Sequence, residues 1–193
     1  GAVIGTSSLR RTAQILHYRS DLKTVNLRGN VQTRLNKLDE NKFDATILAF
    51  AGVHRMGLDS RITQVIPYEI CLPAVGQGSI AVEAALDNEV IIALVKNIDH
   101  SDSRQAVSAE RSFLKKLEGG CQVPIGAYAA VEGGYLRLEG AVVSLDGRDM
   151  VRSDLTGGLQ EAEEVGTVLA EKLIKLGAGE ILSKMRQEIM CDE

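Results

Sequence analysis

The sequence has no tryptophan, and aromatic residues make up only 4% of its 193 residues. Proteins that bind single-stranded nucleic acids stack bases on aromatic side chains and are usually basic, whereas this chain has a formal net charge of -4. Its apolar runs, such as residues 45–53 and 79–85, are far shorter than the roughly 20 residues that span a bilayer. The composition therefore argues against nucleic-acid and membrane partners.

Cysteine is also scarce, since the chain has only Cys71, Cys121 and Cys191. An odd number at wide spacing argues against a disulfide framework and for a reducing compartment. No basic-then-apolar leader opens the chain, and its first residue is Gly1 rather than Met. We therefore expect a cytoplasmic protein and further natural sequence before Gly1.

The charges are unevenly distributed along the chain. Residues 1–61 contain 10 Lys and Arg against 5 Asp and Glu, whereas the remainder contains 12 against 21. The first part is thus a basic module in an acidic chain. Because it lacks the aromatic residues of a nucleic-acid reader, a small polyanion is the better ligand.

Short apolar runs alternate with helical patterns in this basic module. The runs predict strands at residues 2–5, 23–27 and 44–50, with helices at 8–18 and 31–38 between them. This βαβαβ order predicts an α/β fold with a mostly parallel sheet. After Gly76-Gln77-Gly78, the apolar residues 79–86 are typical of a buried strand.

The pattern changes after residue 99. A helix is predicted from an N-cap at Asp102 or Ser103 to Leu117, followed by strands at 126–131, 135–144 and 148–155. Gly133-Gly134 and Asp146-Gly147 are turn signals, so these strands form an antiparallel meander. Two amphipathic helices follow, separated at Gly177, and residues 100–193 are therefore predicted to be a small α+β unit.

Polar residues and arginines follow all three predicted parallel strands. They are Thr6, Ser7, Ser8, Arg10 and Arg11 after the first strand, Arg28 and Arg34 after the second, and Arg55 after the third. Ligands of such sheets bind beyond the carboxyl ends of the strands, where helix N-termini favour anions. Arginine in a first helical turn opposes the helix dipole unless an anion offsets it. Several guanidinium groups around one cleft suit a ligand with several carboxylates.

Each of these residues also has a structural interpretation. An arginine can be a solvated surface charge, and Thr6, Ser7 and Ser8 can be helix caps. Neither nucleotide-binding glycine motif occurs. His17, His54 and His100 are scattered, with no metal-ligand motif, and His54 is expected at the surface.

The three cysteines differ in context. Cys71 lies in an apolar stretch typical of the core, and Cys191 lies in the C-terminal tail. Cys121 follows two glycines and precedes Gln122-Val123-Pro124, which predicts an accessible loop between a helix and a strand. Spacing alone leaves open whether this thiol is inert or functional.

Four segments of the chain are similar to signature segments of the porphobilinogen deaminase (hydroxymethylbilane synthase) family. They are GTSSLRR at residues 5–11, LRGNVQTRL at 27–35, LPAVGQG at 72–78 and LEGGCQVPIGAYA at 117–129. They occur in the family's order, and the resemblance covers essentially the whole chain. It implies a transferase of porphyrin and heme biosynthesis, in which a dipyrromethane cofactor is bound through a thioether to Cys121.

In that family four porphobilinogen units extend the dipyrromethane head to tail, each losing ammonia, and water releases the linear tetrapyrrole. The resemblance assigns Thr6, Ser8, Arg10 and Arg11 to the cofactor carboxylates. It assigns Arg28, Arg34 and Arg55 to the incoming ring and the growing chain, and Gln77 to the hinge side of the cleft. Acetate and propionate groups on every pyrrole agree with the polycarboxylate predicted from the arginines.

The resemblance further implies that the chain lacks the family's N-terminal domain, which carries the catalytic aspartate. Residues 1–72 would be most of domain two, which is similar to the lobes of periplasmic binding proteins. Residues 73–99 would contain the hinge and the return to the absent domain, and residues 100–193 the cofactor cysteine. The chain alone is then expected to be inactive.

Two other functions stay open. A reversible anion-binding module without catalysis predicts an unmodified Cys121, and an interaction protein predicts arginines dispersed over the surface. Intact mass separates these alternatives from the enzyme, because only the enzyme adds two pyrrole units to the chain.

Overall fold

The computed structural model describes residues 1–117 and 123–191, except for the side chains of residues 188–191. The first part, the N-terminal unit, contains a parallel sheet of the strands β1 (Val3–Gly5), β2 (Lys23–Val25) and β3 (Ala45–Thr46) in the order β2-β1-β3. The helices α1 (Leu9–Tyr18), α2 (Val31–Asp39) and α3 (Phe50–Arg55) complete it. The predicted βαβαβ order and the parallel sheet are confirmed.

The starts of α1 and α2 follow from their capping residues. Ser8 Oγ accepts a hydrogen bond from Arg11 N at 3.4 Å, and Asn30 Oδ1 accepts one from Thr33 N at 2.9 Å. Each side chain satisfies an amide that the first helical turn leaves unpaired. The third strand, predicted at residues 44–50, is shorter than predicted: β3 ends at Thr46, and α3 already begins at Phe50.

Residues 79–98 differ most from the sequence prediction. The predicted buried strand at 79–86 is wrong: its residues have no regular structure, and Ile80 and Leu86 are 82% and 95% exposed. Next comes the short helix α4 (Glu89–Val95), which also exposes apolar side chains such as Val90 and Leu94. An apolar segment forms a buried strand only where neighbouring strands pair with it, and none of the described residues do so.

The chain from Ser101 onward, which we call the C-terminal unit, is an α+β unit. It contains α5 (Ser101–Lys116), β4 (Ile125–Glu132), β5 (Tyr135–Val143), β6 (Met150–Gly158), α6 (Ala162–Leu173) and α7 (Gly179–Cys191). The strands form an antiparallel sheet in the order β4-β5-β6, so the predicted meander is confirmed. The predicted N-caps Asp102 and Ser103 of α5 are wrong, because His100 caps the helix by accepting a hydrogen bond from Ser103 N at 3.3 Å.

Two glycine positions explain local features of the C-terminal unit. Gly133 and Gly134 have φ of 58° and 82° and form the two-residue turn between β4 and β5, which requires positive φ. Gly166 lets α6 approach α5 closely, since a Cβ there would lie 2.2 Å from the Ala109 carbonyl oxygen. Phe113, Leu138 and other buried apolar residues form the core between these helices and the sheet.

Residues 68–77, which we call the connecting segment, lie between the two units. Ala127 N of β4 donates a hydrogen bond to Pro73 O at 3.1 Å. Arg152 of β6 donates to the carbonyl oxygens of Tyr68 and Glu69 at 3.0 and 2.7 Å and also pairs with Glu139. The connecting segment is thus held by the C-terminal unit along most of its length.

Among the described residues, no helix combines the length and the apolar character needed to cross a bilayer.

Candidate functional site

The candidate site lies where the parallel strands of the N-terminal unit end. Thr6 follows β1 directly, and its N–H donates to Val25 O at 2.9 Å, so the ends of β1 and β2 are adjacent. Its side-chain oxygen is buried and accepts a hydrogen bond from Ser8 N at 3.2 Å. Thr6 and Ser8 therefore shape the N-terminus of α1, where the helix dipole favours an anion.

Arg10 is a buried cation of α1. Its guanidinium donates hydrogen bonds to Leu72 O and, at 3.2 Å, to Gln77 Oε1, and it lies 3.9 Å from the Cys71 sulfur. Burial lowers the pKa of Arg10. Oxygen atoms of Leu72 and Gln77 in the connecting segment thus offset part of the Arg10 charge, for which the sequence had suggested an anion.

Arg11 is the centre of an arginine cluster. Its guanidinium donates to Ile47 O, just after β3, at 2.8 Å. Burial lowers the pKa of Arg11, and the positive charges of Arg10 and Arg34 lower it further. Arg10 and Arg34 are therefore close enough to Arg11 to repel its charge, and we call these three residues the arginine cluster. An anionic ligand would relieve that repulsion.

Arg34 joins the cluster from α2. Its Nε donates to Gly29 O at 2.8 Å, which holds the side chain beside the turn after β2. Arg28 precedes this turn and is exposed. Arg55 is also exposed, but it is the last residue of α3, about a turn and a half beyond the helix start. The structure thus places Arg10 and Arg34 near Arg11, and in the part of the chain that it describes no hydrogen bond or ion pair joins Arg28 or Arg55 to these three residues.

The charges at this edge are unbalanced. Within residues 1–117 and 123–187, no ion pair joins a carboxylate to any of the five candidate arginines: Arg10, Arg11, Arg28, Arg34 and Arg55. Other arginines of the chain do form such pairs, for example Arg61 with Asp39 and Arg152 with Glu139. The site is therefore suited to an external anion.

Gln77 connects the site to the connecting segment. Its Oε1 accepts hydrogen bonds from Arg10 and, at 3.3 Å, from Ala74 N, while the residue itself is exposed. Gln77 and the buried Arg10 are thus in direct contact.

The candidate cysteine, Cys121, lies outside the described residues, between the end of α5 and the start of β4. Cys71 is half-buried rather than part of the closed core that the sequence predicted. Burial raises the pKa of its thiol, although Arg10 and Arg11 counteract the shift. A thiol held in its protonated form is a poor nucleophile.

Three polar residues near the site were not predicted from the sequence: Gln14, Glu110 and Arg152. Gln14 and Glu110 are buried and bind backbone groups of the connecting segment. Glu110 had a visible signal, because it stands at helical spacing with Ala106, Phe113 and Leu117 on the apolar side of α5. Gln14 and Arg152 had none, since each acts on residues far away in sequence.

Two family models match the chain. Residues 1–93 match "Porphobilinogen deaminase, dipyromethane cofactor binding domain", and residues 104–175 match "Porphobilinogen deaminase, C-terminal domain". The first match contains the arginine cluster and the connecting segment. It therefore assigns a dipyrromethane cofactor to the part of the chain that has the unbalanced positive charge.

Curated relatives agree with these matches. A porphobilinogen deaminase of Pelotomaculum thermopropionicum is 60% identical over 188 residues, and one of Desulforudis audaxviator is 53% identical over 186 residues. The alignments cover 97% and 96% of this chain but 60% of each relative. The chain thus spans about 60% of the length of the relatives it matches. The two family models and these relatives together show that the chain belongs to the porphobilinogen deaminase family.

Proposed function

We propose that the chain is the cofactor-carrying part of a porphobilinogen deaminase, the transferase that makes hydroxymethylbilane for porphyrin and heme biosynthesis. Four porphobilinogen units are joined head to tail, each new carbon–carbon bond releases one ammonia, and water releases the linear tetrapyrrole. The observation that carries the proposal is the arginine cluster, which has no carboxylate partner among the described residues and lies within the match to the cofactor-binding domain.

The residues of the site fit a dipyrromethane. Each of its pyrrole rings has an acetate and a propionate, and guanidinium groups bind such carboxylates with paired hydrogen bonds. The mutual repulsion at Arg11 gives a reason for bound carboxylates to be stabilising there. When bound, the dipyrromethane supplies the primer that the incoming units extend.

We assign the cofactor carboxylates to Thr6, Ser8, Arg10 and Arg11, which lie around the start of α1. The incoming porphobilinogen and the growing chain are assigned to Arg28, Arg34 and Arg55. The exposure of Arg28 and Arg55 supports that division, because a chain that lengthens needs binding groups beyond the buried part of the site. Gln77 steadies Arg10 from the hinge side.

Cys121 holds the primer through a thioether in this proposal. It is the cysteine within LEGGCQVPIGAYA, whereas burial raises the pKa of the Cys71 thiol and Cys191 ends α7. We assign no catalytic acid to this chain. The catalytic aspartate is expected in an N-terminal polypeptide corresponding to the part of the relatives that the chain does not cover.

The domain layout follows from the same proposal. Residues 1–72 act as a ligand-closing lobe similar to those of periplasmic binding proteins, and residues 100–193 form the cysteine-bearing domain. Between them, residues 73–99 contain the hinge and the contact with the N-terminal polypeptide, which the exposed Ile80, Val82 and Leu86 support. The free thiol of Cys71 agrees with a cytoplasmic location.

Intact mass tests this function. The chain is mixed with the portion of the Pelotomaculum thermopropionicum relative that it does not cover, and the mixture, which we call the complemented chain, is incubated with porphobilinogen. We expect the 193-residue chain to gain the mass of a dipyrromethane. Cys121→Ser should abolish that gain, whereas the matched Cys71→Ser and Cys191→Ser should keep it.

An unmodified chain that still binds polycarboxylates reversibly would support the anion-binding module instead. Mass gain that disappears with Cys71→Ser or Cys191→Ser would contradict the assignment of Cys121.

A further inference from the structure

Glu110 is a buried carboxylate that bridges two distant backbone segments. The residue is 7% exposed, its Oε2 accepts a hydrogen bond from Gly76 N at 2.6 Å, and its Oε1 accepts one from Ala129 N at 2.8 Å. Gly76 belongs to the connecting segment and Ala129 to β4. Burial raises the pKa of Glu110, and the two amides oppose that shift.

The bridge lies at the free edge of the antiparallel sheet. Among the described strands, β4 pairs only with β5, and on its other side Ala127 N donates to Pro73 O. Because strand residues alternate, the N–H of Ala129 points toward the same edge of the sheet as the N–H of Ala127. At Ala129, however, no carbonyl oxygen of the connecting segment accepts it, and Glu110 does so instead. Glu110 supplies the missing acceptor and binds the connecting segment with its second oxygen.

The bridge continues to the arginine cluster. Gly76 is followed by Gln77, which accepts a hydrogen bond from Arg10, and Leu72 O in the same segment accepts another. The positions of Gly76 and Gln77 therefore determine where Arg10 finds its acceptors. On the other side, β4 begins four residues after Cys121, the proposed point of cofactor attachment.

We infer that Glu110 is a positioning residue of the cofactor site: it fixes the connecting segment against β4, so that Arg10 and the start of β4 keep one geometry toward the same dipyrromethane. This inference rests on the proposed function. Glu110 touches no reacting atom, and it acts through Gly76, Gln77 and Arg10.

The substitution Glu110→Gln tests the inference, because an amide side chain offers one acceptor oxygen and its NH2 cannot accept from the second backbone N–H. Glu110→Asp is the second variant, since its shorter side chain keeps the charge but cannot span both amides. Glu132→Gln, the same substitution at the exposed end of β4, is the matched control. Leu182→Ala, at a core position of α7, controls for general destabilisation.

Two quantities are measured in the complemented chain. Amide hydrogen exchange at Gly76 and Ala129 should become roughly tenfold faster or more in Glu110→Gln, as expected for loss of a hydrogen bond to a charged group. The porphobilinogen concentration at which half of the 193-residue chain gains the mass of a dipyrromethane should rise by a similar factor. Glu110→Asp should lie between Glu110→Gln and wild type, and both controls should bind dipyrromethane as the wild type does.

Faster amide exchange in Glu110→Gln with unchanged dipyrromethane binding would make Glu110 a structural residue only and would overturn the inference. If Leu182→Ala lost as much dipyrromethane binding as Glu110→Gln, the inference would also be wrong. A wild-type protein that binds no dipyrromethane would contradict the proposed function itself. In that case the exchange at Gly76 and Ala129 still shows whether Glu110 forms the bridge.

Discussion

The carboxamide of Gln14 pairs with both backbone polar groups of Leu72: its Oε1 accepts from Leu72 N at 2.8 Å, and its Nε2 donates to Leu72 O at 3.1 Å. Both residues are fully buried. The Gln14 carboxamide thus forms with Leu72 the pair of hydrogen bonds that a neighbouring β-strand would otherwise form. It satisfies backbone groups that burial would otherwise leave without partners.

Replacing Gln14 with Leu should lower the free energy of unfolding by about 1–3 kcal/mol, because the Leu72 N–H would stay buried without an acceptor. The matched control is Gln32→Leu on α2, where Gln32 is exposed; it should change stability by no more than about 0.5 kcal/mol. Urea unfolding of both variants measures the difference. Equal effects would show that the pairing with Leu72 contributes nothing specific.

Gly166→Ala should destabilise the C-terminal unit by about 1–3 kcal/mol, since a new methyl group would overlap the Ala109 carbonyl and force α5 and α6 apart. Gly52→Ala is the control, because its nearest neighbour would be Val31 Cγ2 at 3.7 Å. Alanine in α3 should even stabilise that helix by roughly 0.5–1 kcal/mol. The two substitutions are therefore expected to shift the melting temperature in opposite directions, and a shift of the same sign would contradict the close approach.

Glu110 should make stability depend on pH in a defined direction. Its pKa in the folded chain is raised above the ordinary value of 4.5. The stability that the protonated form contributes is therefore complete below that value and is lost as the pH rises through the folded-state pKa. The unfolding free energy of wild type minus that of Glu110→Gln should fall as the pH increases. Urea unfolding from about pH 4 to about pH 7.5 measures this difference, and a difference that rises with pH would contradict the raised pKa.

The arginine cluster should divide into two functions in the complemented chain. Arg11→Leu should impair attachment of the primer, and Arg34→Leu should leave the primer attached but stall its extension. Each lost charge-assisted hydrogen bond should cost about 1.5–3 kcal/mol. Intact mass reports the primer, and porphobilinogen consumption reports extension. Normal turnover by either variant would refute the division.

The 193-residue chain by itself should not consume porphobilinogen, because the catalytic aspartate is expected in the N-terminal polypeptide. It should also not stay monomeric, because residues 79–98 expose Ile80, Val82 and Leu86 to water. Burying one such side chain contributes roughly 1.5–3 kcal/mol, a sizeable part of a typical protein's stability. Light scattering and a turnover assay, each before and after addition of the N-terminal polypeptide, test both statements. Turnover by a monomer of the bare chain would show that the chemistry resides in these residues.

The local pattern of the sequence was sufficient for most helices and strands. The glycine pair 133–134, Ser8 as one of the candidate caps of α1 and the alternation around β4 to β6 act through neighbours a few residues away, so composition and spacing predicted them. The same holds for the arginines after each strand, because parallel strands bring their carboxyl ends to one edge. The family could also be inferred at this level, since its motifs are contiguous.

Tertiary structure decided which of those arginines meet and what holds them. Arg10 donates to Leu72 and Gln77, about sixty positions further along the chain, and no periodicity in the sequence predicts such partners. Residues 79–86 have the composition of a buried strand, yet they lie exposed, because a strand exists only where another strand offers hydrogen bonds to its edges. Sequence thus determined the elements and their chemical groups, whereas the pairings over long distances, which depend on how the elements pack, were fixed only by the folded chain.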